Sequence, residues 1–305
     1  MRFSRNATKK FALKILLLIA AVVLGFWNAV LTLLVIFIFN IPLIRKAVFG
    51  KLPTDPGRKG YARSETHEYI TGRFIDIYYP DCYSHAKGVV MFAHGGGWIS
   101  GYKRQPNNMS WYRFLLSQGF IVASIEYSRG YKAGIELLIS ELESAIKFLN
   151  GKFQTKISLM GLSAGGHLAL LTASRNYQLV KNVISYYAPS DLLDIWESPS
   201  IFARIAALAT LKRLPSKDKN IYAKYSPVNN VHGSFPPTLL VHGLKDDVVP
   251  YISSVKMFKK LKEQRVHVKL LLHPSGGHGF EFVQRDGRTV EILQKTIAFL
   301  EEKLW

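Results

Sequence analysis

The sequence predicts an α/β protein built on a doubly wound, mostly parallel sheet, preceded by a membrane-spanning helix. Three observations carry this. Short β-rich apolar runs alternate with helical patterns over most of the chain, glycine-rich turns follow several of those runs, and an uncharged apolar stretch opens the sequence.

The composition allows such a core. Of 305 residues, 48% are hydrophobic and 20% charged, which excludes a disordered chain. The single cysteine, Cys82, excludes an internal disulfide framework and a cysteine-rich zinc site. The net charge of +19 is unevenly spread, with ten basic residues and one acidic among residues 1–60. That excess flanks one apolar segment and suits anionic lipid headgroups. The remaining basic surface is diffuse and has no arginine–aromatic interleaving, so nucleic acid is not an expected partner.

No charged residue occurs from Ile15 to Ile44, a run of 30 residues closed by Lys14 and by Arg45-Lys46. A spanning helix needs about 20. A cleaved signal peptide has an apolar region of about 7–15 residues, so this run is too long for one, and no Ala-x-Ala site follows it. Residues 15–44 are therefore read as a single-pass anchor behind a basic segment, 1–14, with the excess length absorbed by tilt. A re-entrant turn at Trp27-Asn28 would leave each arm too short to span. Five cations lie on each side, which gives the positive-inside rule nothing to decide, but the first five are closer-packed and lack acidic neighbours, so the expectation leans to a cytoplasmic N-terminus and an extracytoplasmic catalytic domain.

Residues 45–60 read as a linker through Pro53-Thr54-Asp55-Pro56-Gly57, and the globular domain, 61–305, is expected to begin near Tyr61. Strands are predicted at Phe74–Tyr79, Gly88–Phe92, Ile121–Glu126, Ile157–Met160, Val183–Tyr187, Leu239–Val241 and Val268–Leu272. Ile135, Leu138, Ile139, Leu142, Ile146 and Leu149 recur at helical spacing, as expected of a crossover helix. Thr289–Leu304 is a second predicted helix. Residues 190–235 break the alternation. With the Ala-rich Ile201–Leu211 and the basic Lys212–Lys219, they form either a cap over the site or a surface excursion.

Gly161-Leu162-Ser163-Ala164-Gly165 is a G-x-S-x-G pattern between the strand ending at Met160 and a helical run, Ala164–Ala173. A turn this tight forces the serine into strained backbone angles and tolerates only small neighbours. It offers the hydroxyl at a helix N-terminus, where N–H groups hold negative charge. Upstream, His94-Gly95-Gly96-Gly97-Trp98 follows a strand, and its glycines allow close backbone approach to a substrate.

This loop, with Gly101-Tyr102-Lys103 after it, resembles the oxyanion loop of short-chain carboxylesterases of the hormone-sensitive-lipase and feruloyl/acetyl-esterase groups. The resemblance covers about residues 70–302 and implies an α/β-hydrolase fold. It also implies an oxyanion hole from the N–H groups of Gly96, Gly97 and Ala164, with His94 structural. Val241-His242-Gly243-Leu244-Lys245-Asp246 resembles the family's acid turn, and Gly276-Gly277-His278-Gly279-Phe280 its histidine loop. Ser163, Asp246 and His278 then stand in the chain order of this fold as nucleophile, acid and base. Asp247 is expected to point to solvent, Asp191 is held in reserve as the acid, and His167, His242 and His273 are expected to be structural. Glu126-Tyr127-Ser128-Arg129 and Glu141 depart from the lipase-like pattern and favour the feruloyl/acetyl-esterase branch.

The implied activity is hydrolysis of small or short-chain carboxylic esters through an acyl-enzyme. Acyl transfer or deacetylation on a glycan or lipid shares every residue, an amidase or peptidase has no sequence feature in its favour, and a non-catalytic binding module is the third class. No metal or organic cofactor is implied.

Overall fold

A computed structural model describes residues 23–25, 48–57 and 60–302 of the chain. The anchor expected at 15–44 lies outside the described residues apart from 23–25, which are helical. Among the described residues, no helix is long and apolar enough to cross a membrane. The compact catalytic unit runs from Val48 onward.

Eight strands form one sheet in the order β1-β2-β4-β3-β5-β6-β7-β8. They are β1 (Arg63–Ile70), β2 (Arg73–Tyr79), β3 (Val89–Ala93), β4 (Ile121–Ile125), β5 (Ile157–Leu162), β6 (Val180–Tyr186), β7 (Thr238–Gly243) and β8 (Val268–His273). β2 pairs antiparallel with both β1 and β4, and the other pairings are parallel. All seven expected strands are present, with ends shifted by a few residues, and β1 is an addition.

The strands are apolar on both faces because both faces are covered. Ile75, Ile77, Met91 and Leu159 point to one side, while Tyr78, Val90, Phe92 and Met160 point to the other. On the first side lie α2 (Ile135–Phe153), α3 (Ala164–Arg175) and α6 (Ile252–Glu263). On the second lie α1 (Pro106–Ser117) and α7 (Gly287–Glu301). The predicted apolar stripe of α2 is buried at Ile135, Leu138, Ile139, Leu142, Ile146 and Leu149. This is the doubly wound architecture, and it gathers the carboxyl ends of β3, β5, β6, β7 and β8 along one edge, where ligands of open α/β sheets bind.

Two readings need correction. The segment expected to be a loose linker is fastened down: Leu52 is buried, its N–H donates to Ser110 Oγ at 2.8 Å, and Asp55 pairs with Arg113 of α1. Proline and turn residues look the same in a packed Asx turn as in a linker, and only the partner helix distinguishes them. The strand β1 was missed because its inward positions are Glu65, His67 and Tyr69. Glu65 is satisfied by His67, Tyr79 and Lys152, so the strand shows no apolar alternation.

Candidate active site

Ser163 sits between β5 and α3 with φ 52° and ψ −120°, a region L-residues rarely adopt. Its N–H donates to Tyr186 O at 2.8 Å and its carbonyl accepts from His167 N at 3.0 Å, which holds the strained turn from both sides. The flanking glycines are sterically required. A Cβ on Gly161 would lie 2.3 Å from the Gly165 carbonyl, and one on Gly165 would lie 2.1 Å from Ala93 O.

The loop after β3 lies against this turn. A Cβ on Gly95 would stand 3.2 Å from Leu162 O and 3.6 Å from Ser163 Cβ. Gly96 turns at φ 123°, and its carbonyl accepts from Ile99 N, Ser100 N and Ser100 Oγ, while Gly97 is left-handed at φ 60°. Ala164 opens α3, so its N–H has no intrahelical acceptor. None of the hydrogen bonds among the described residues uses the N–H of Gly96 or Gly97.

His94 is buried and stacked on Tyr127 at 4.1 Å, with its Nδ1 2.7 Å from Gly95 O. Burial lowers its pKa to about 4, so it stays neutral and holds the loop, as expected. The run Glu126-Tyr127-Ser128-Arg129, which departed from the lipase-like pattern, is the clamp for this loop. Tyr127 OH donates to His94 O, Glu126 accepts from Lys103 N, and Arg129 donates to Gly101 O. The second departure completes it, since the Glu141 carboxylate accepts from Ser128 N at 2.6 Å and Ser128 Oγ at 2.7 Å. Both departures are visible in the sequence, but their pairing across thirteen positions has no local pattern.

The structure brings Ser163, His278 and Asp246 together. His278 Nε2 lies 3.0 Å from Ser163 Oγ, and His278 Nδ1 lies 2.7 Å from Asp246 Oδ2. The Asp246 side chain is fully buried, and its other oxygen accepts from Val248 N and Val249 N at 2.8 Å. Burial pushes the Asp246 carboxyl upward, but the charges and hydrogen bonds of His278 and His242 hold it well below the usual carboxylate range. Burial likewise disfavours the His278 cation, yet Asp246, helped by Glu281 and Asp247, raises its pKa above 6.5.

His242 is more than a packed residue. Its Nε2 lies 3.2 Å from Asp246 Oδ2 and 2.9 Å from Val249 O, and its Nδ1 lies 2.7 Å from Ser254 Oγ. It therefore supports the acid turn from behind. Asp191, the reserve acid, is instead paired with Lys256 at 2.8 Å, and Asp247 is exposed as expected. His167 accepts from Trp98 Nε1 and donates to Tyr225 O, while His273 pairs with Asp286.

The stretch between β6 and β7 carries two helices, α4 (Ile201–Leu211) and α5 (Lys219–Tyr225). Ser198 Oγ donates toward the Asp247 and Val248 carbonyls at 2.9 Å, tying the stretch to the acid turn. A Cβ on Gly97 would meet Ala206 at 3.0 Å and the Phe202 ring at 3.1 Å, so α4 abuts the glycine loop after β3. Among the described residues, no group of three His, Cys, Asp or Glu side chains is arranged to hold a metal ion.

The strand order and the strained serine between β5 and α3 define an α/β-hydrolase. Comparison with known proteins narrows this: the BD-FAE family pattern matches residues 75–261, more than half of the sequence, and the chain belongs to that family. A probable isoprenylcysteine alpha-carbonyl methylesterase of Oryza sativa subsp. japonica is 28% identical over 241 residues, covering 70% of this chain and 58% of that protein. Esterase LipC of Mycobacterium tuberculosis is 26% identical, covering 67% and 56%. The chain thus spans a little over half the length of these curated relatives. Among solved structures, a truncated carbohydrate esterase from gut microbiota superposes with a TM-score of 0.69 at 20% identity, covering 82% of this chain and 100% of that one. An esterase of Pyrobaculum calidifontis gives 0.67 at 20% identity, covering 82% and 86%. At that identity the likeness is one of fold.

Proposed function

We propose that the protein hydrolyses small or short-chain carboxylic esters through an acyl-enzyme, with Ser163 as nucleophile, His278 as base and Asp246 as the acid that orients it. The observation that carries the reading is the continuous relay from Asp246 Oδ2 through His278 to Ser163 Oγ, with hydrogen-bond distances of 2.7 and 3.0 Å. A serine hydroxyl is a weak nucleophile until a neutral imidazole takes its proton.

In this mechanism Ser163 Oγ attacks the ester carbonyl carbon while its proton passes to His278 Nε2. The Gly96, Gly97 and Ala164 N–H groups receive the oxyanion, and the Asp246 carboxylate stabilises the imidazolium. Collapse breaks the bond to the alcohol oxygen, which leaves with the proton from His278. Water then attacks the acyl group, again with His278 as base, and frees Ser163. The relatives named as a methylesterase and an esterase support ester cleavage as the reaction class. Acyl transfer to a glycan or lipid uses the same steps with another acceptor, and product analysis with and without that acceptor separates the two.

A fluorophosphonate probe is expected to label the wild type and not Ser163→Ala. A folded wild type that resists labelling overturns the assignment.

The 30-residue uncharged run between cations supports residues 15–44 as a membrane anchor, and the closer-packed cations before it favour a cytoplasmic N-terminus and an extracytoplasmic catalytic domain. Full-length protein is then expected to resist alkaline carbonate extraction, and the catalytic domain to be cut by protease added to intact cells. Release with a trimmed N-terminus would make the segment a signal peptide instead.

A further inference from the structure

Burying a carboxylate is costly unless a cation or several donors compensate it. Besides the buried side chains of Asp246, beside His278, and Asp55, paired with Arg113, four acidic residues are buried as a whole among the described residues: Asp76, Glu141, Asp194 and Glu281. Asp76 pairs with Lys103 and Arg104, Glu141 with Arg73, and Asp194 with Lys256. Glu281 is fully buried and pairs with no lysine or arginine among the described residues. Its Oε1 accepts from Tyr187 OH at 2.5 Å, and its Oε2 has no hydrogen-bond partner. Trp111 Nε1, itself buried without a well-formed bond, lies near enough to steady the carboxyl group.

The partner of Glu281 is an unusual residue. Tyr187 follows β6 in the left-handed region at φ 39°, with its N–H tied to Val241 O at 2.7 Å. Non-glycine residues are held in such backbone only where the surroundings over-determine it. The Tyr187 ring packs on the His278 ring at a centroid distance of 4.5 Å and an interplanar angle of 55°. Glu281 itself lies three residues beyond His278, in the short turn Phe280–Phe282.

We propose that Glu281 is a positioning residue for His278: its carboxylate fixes the Tyr187 ring against the imidazole and supports the imidazolium with a second, buried negative charge. The proposal rests on His278 being the base. It adds a contribution that Asp246 does not make, because Asp246 bonds Nδ1 directly while Glu281 acts through the Tyr187 ring packed against the imidazole.

The electrostatics agree with this placement. Burial pushes the Glu281 carboxyl up to about 7, against the pull of Tyr187, its own backbone N–H, Trp111 and the charged form of His278. The other groups facing the pair are Tyr186 and Tyr187 from the end of β6, with Asp246 and Asp247 from the turn after β7. A negative neighbour favours the imidazolium, so removing the Glu281 charge must lower the His278 midpoint.

The test is the titration of His278 in full-length protein carrying ¹³C-labelled histidine, its signal assigned by its loss in His278→Gln. Glu281→Gln keeps an acceptor for Tyr187 and removes the charge, and the midpoint is expected to fall by about half a pH unit. Tyr187→Phe removes the donor from Glu281 and keeps the carboxylate neutral to higher pH, so a smaller fall in the same direction is expected. A purely structural role would lower the melting temperature and leave the midpoint in place. An unchanged midpoint in folded Glu281→Gln overturns the proposal, and if that variant does not fold, an unchanged midpoint in Tyr187→Phe does so. The titration needs no turnover, so its failure is distinct from failure of the wild type to react with a fluorophosphonate.

Discussion

The serine turn and the stretch between β6 and β7 face each other across the site, and they are built on opposite terms. Around Ser163, backbone meets backbone: added Cβ atoms at Gly161 and Gly165 would approach carbonyl groups at 2.3 and 2.1 Å. Nothing there can move aside. On α4 the outer residues are open, with Ile201 72%, Phe202 50% and Ile205 56% exposed. The nearest neighbours of a Cβ on Gly97 are Ala206 and the Phe202 ring. The first region is closed by backbone contacts, whereas the second exposes apolar side chains on α4 and is tied to the turn of Asp246 through Ser198.

The largest expected effects lie on the rigid side. Ser163→Ala and His278→Ala are each expected to lower kcat by several orders of magnitude to similar residual levels, because the three residues act as one unit. Asp246→Asn is expected to cost about 10⁴ in kcat through the wrong imidazole tautomer, and Asp191→Asn far less. Steady-state kinetics on a chromogenic acetate ester check all four. Similar losses in both aspartate variants would break the assignment of the acid.

Gly165→Ala tests the crowding itself. It is expected to destabilise the fold by about 3 kcal/mol or more, since the clash is with backbone on a neighbouring strand. Chemical denaturation measures this, and a loss below about 1 kcal/mol would mean that the turn relaxes.

The pH profile sharpens the electrostatic side. His278 must be neutral to accept the serine proton, and its pKa is raised above 6.5, first and most by Asp246 once the opposing burial is overcome. Activity should therefore fall as pH drops through a midpoint above 6.5. His94 and His167, lowered to about 4 by burial, remain neutral across this limb and contribute nothing to it. An acid limb centred below pH 6 in kcat/KM would contradict the raised pKa.

The smallest effect is expected on the open side. Phe202→Ala should change stability by less than about 1 kcal/mol, because half of the ring is already exposed. It should shift the preference among acetate, butyrate and hexanoate esters by no more than about tenfold while leaving fluorophosphonate labelling intact. A collapse of kcat for every ester would show that α4 belongs with the rigid half.

Much of the fold and site was legible because it rests on local rules. Apolar runs of strand length mark strands buried on two faces, the stripe from Ile135 to Leu149 marks α2, and glycines mark turns that exclude a Cβ. Ser163 was identifiable from its own glycine-rich turn, and Asp246 and His278 through the resemblance of their turns to a known family's acid and histidine loops. Other features had no local signature. β1 turns Glu65 and His67 inward, so its pattern is polar, and residues 52–57 resemble a linker until Ser110 and Arg113 of α1 are seen to hold them.

The sequence by itself determined the strands, the turns and the chemical character of the three site residues, since periodicity and backbone sterics act over only a few positions. The tertiary structure decided which distant groups meet. It chose Asp246 over Asp191, set His242 behind the acid, joined Glu141 to Ser128, and buried Glu281 against Tyr187. Such pairings depend on strand order and on distances of a few ångströms between residues far apart in the chain, which no local pattern encodes.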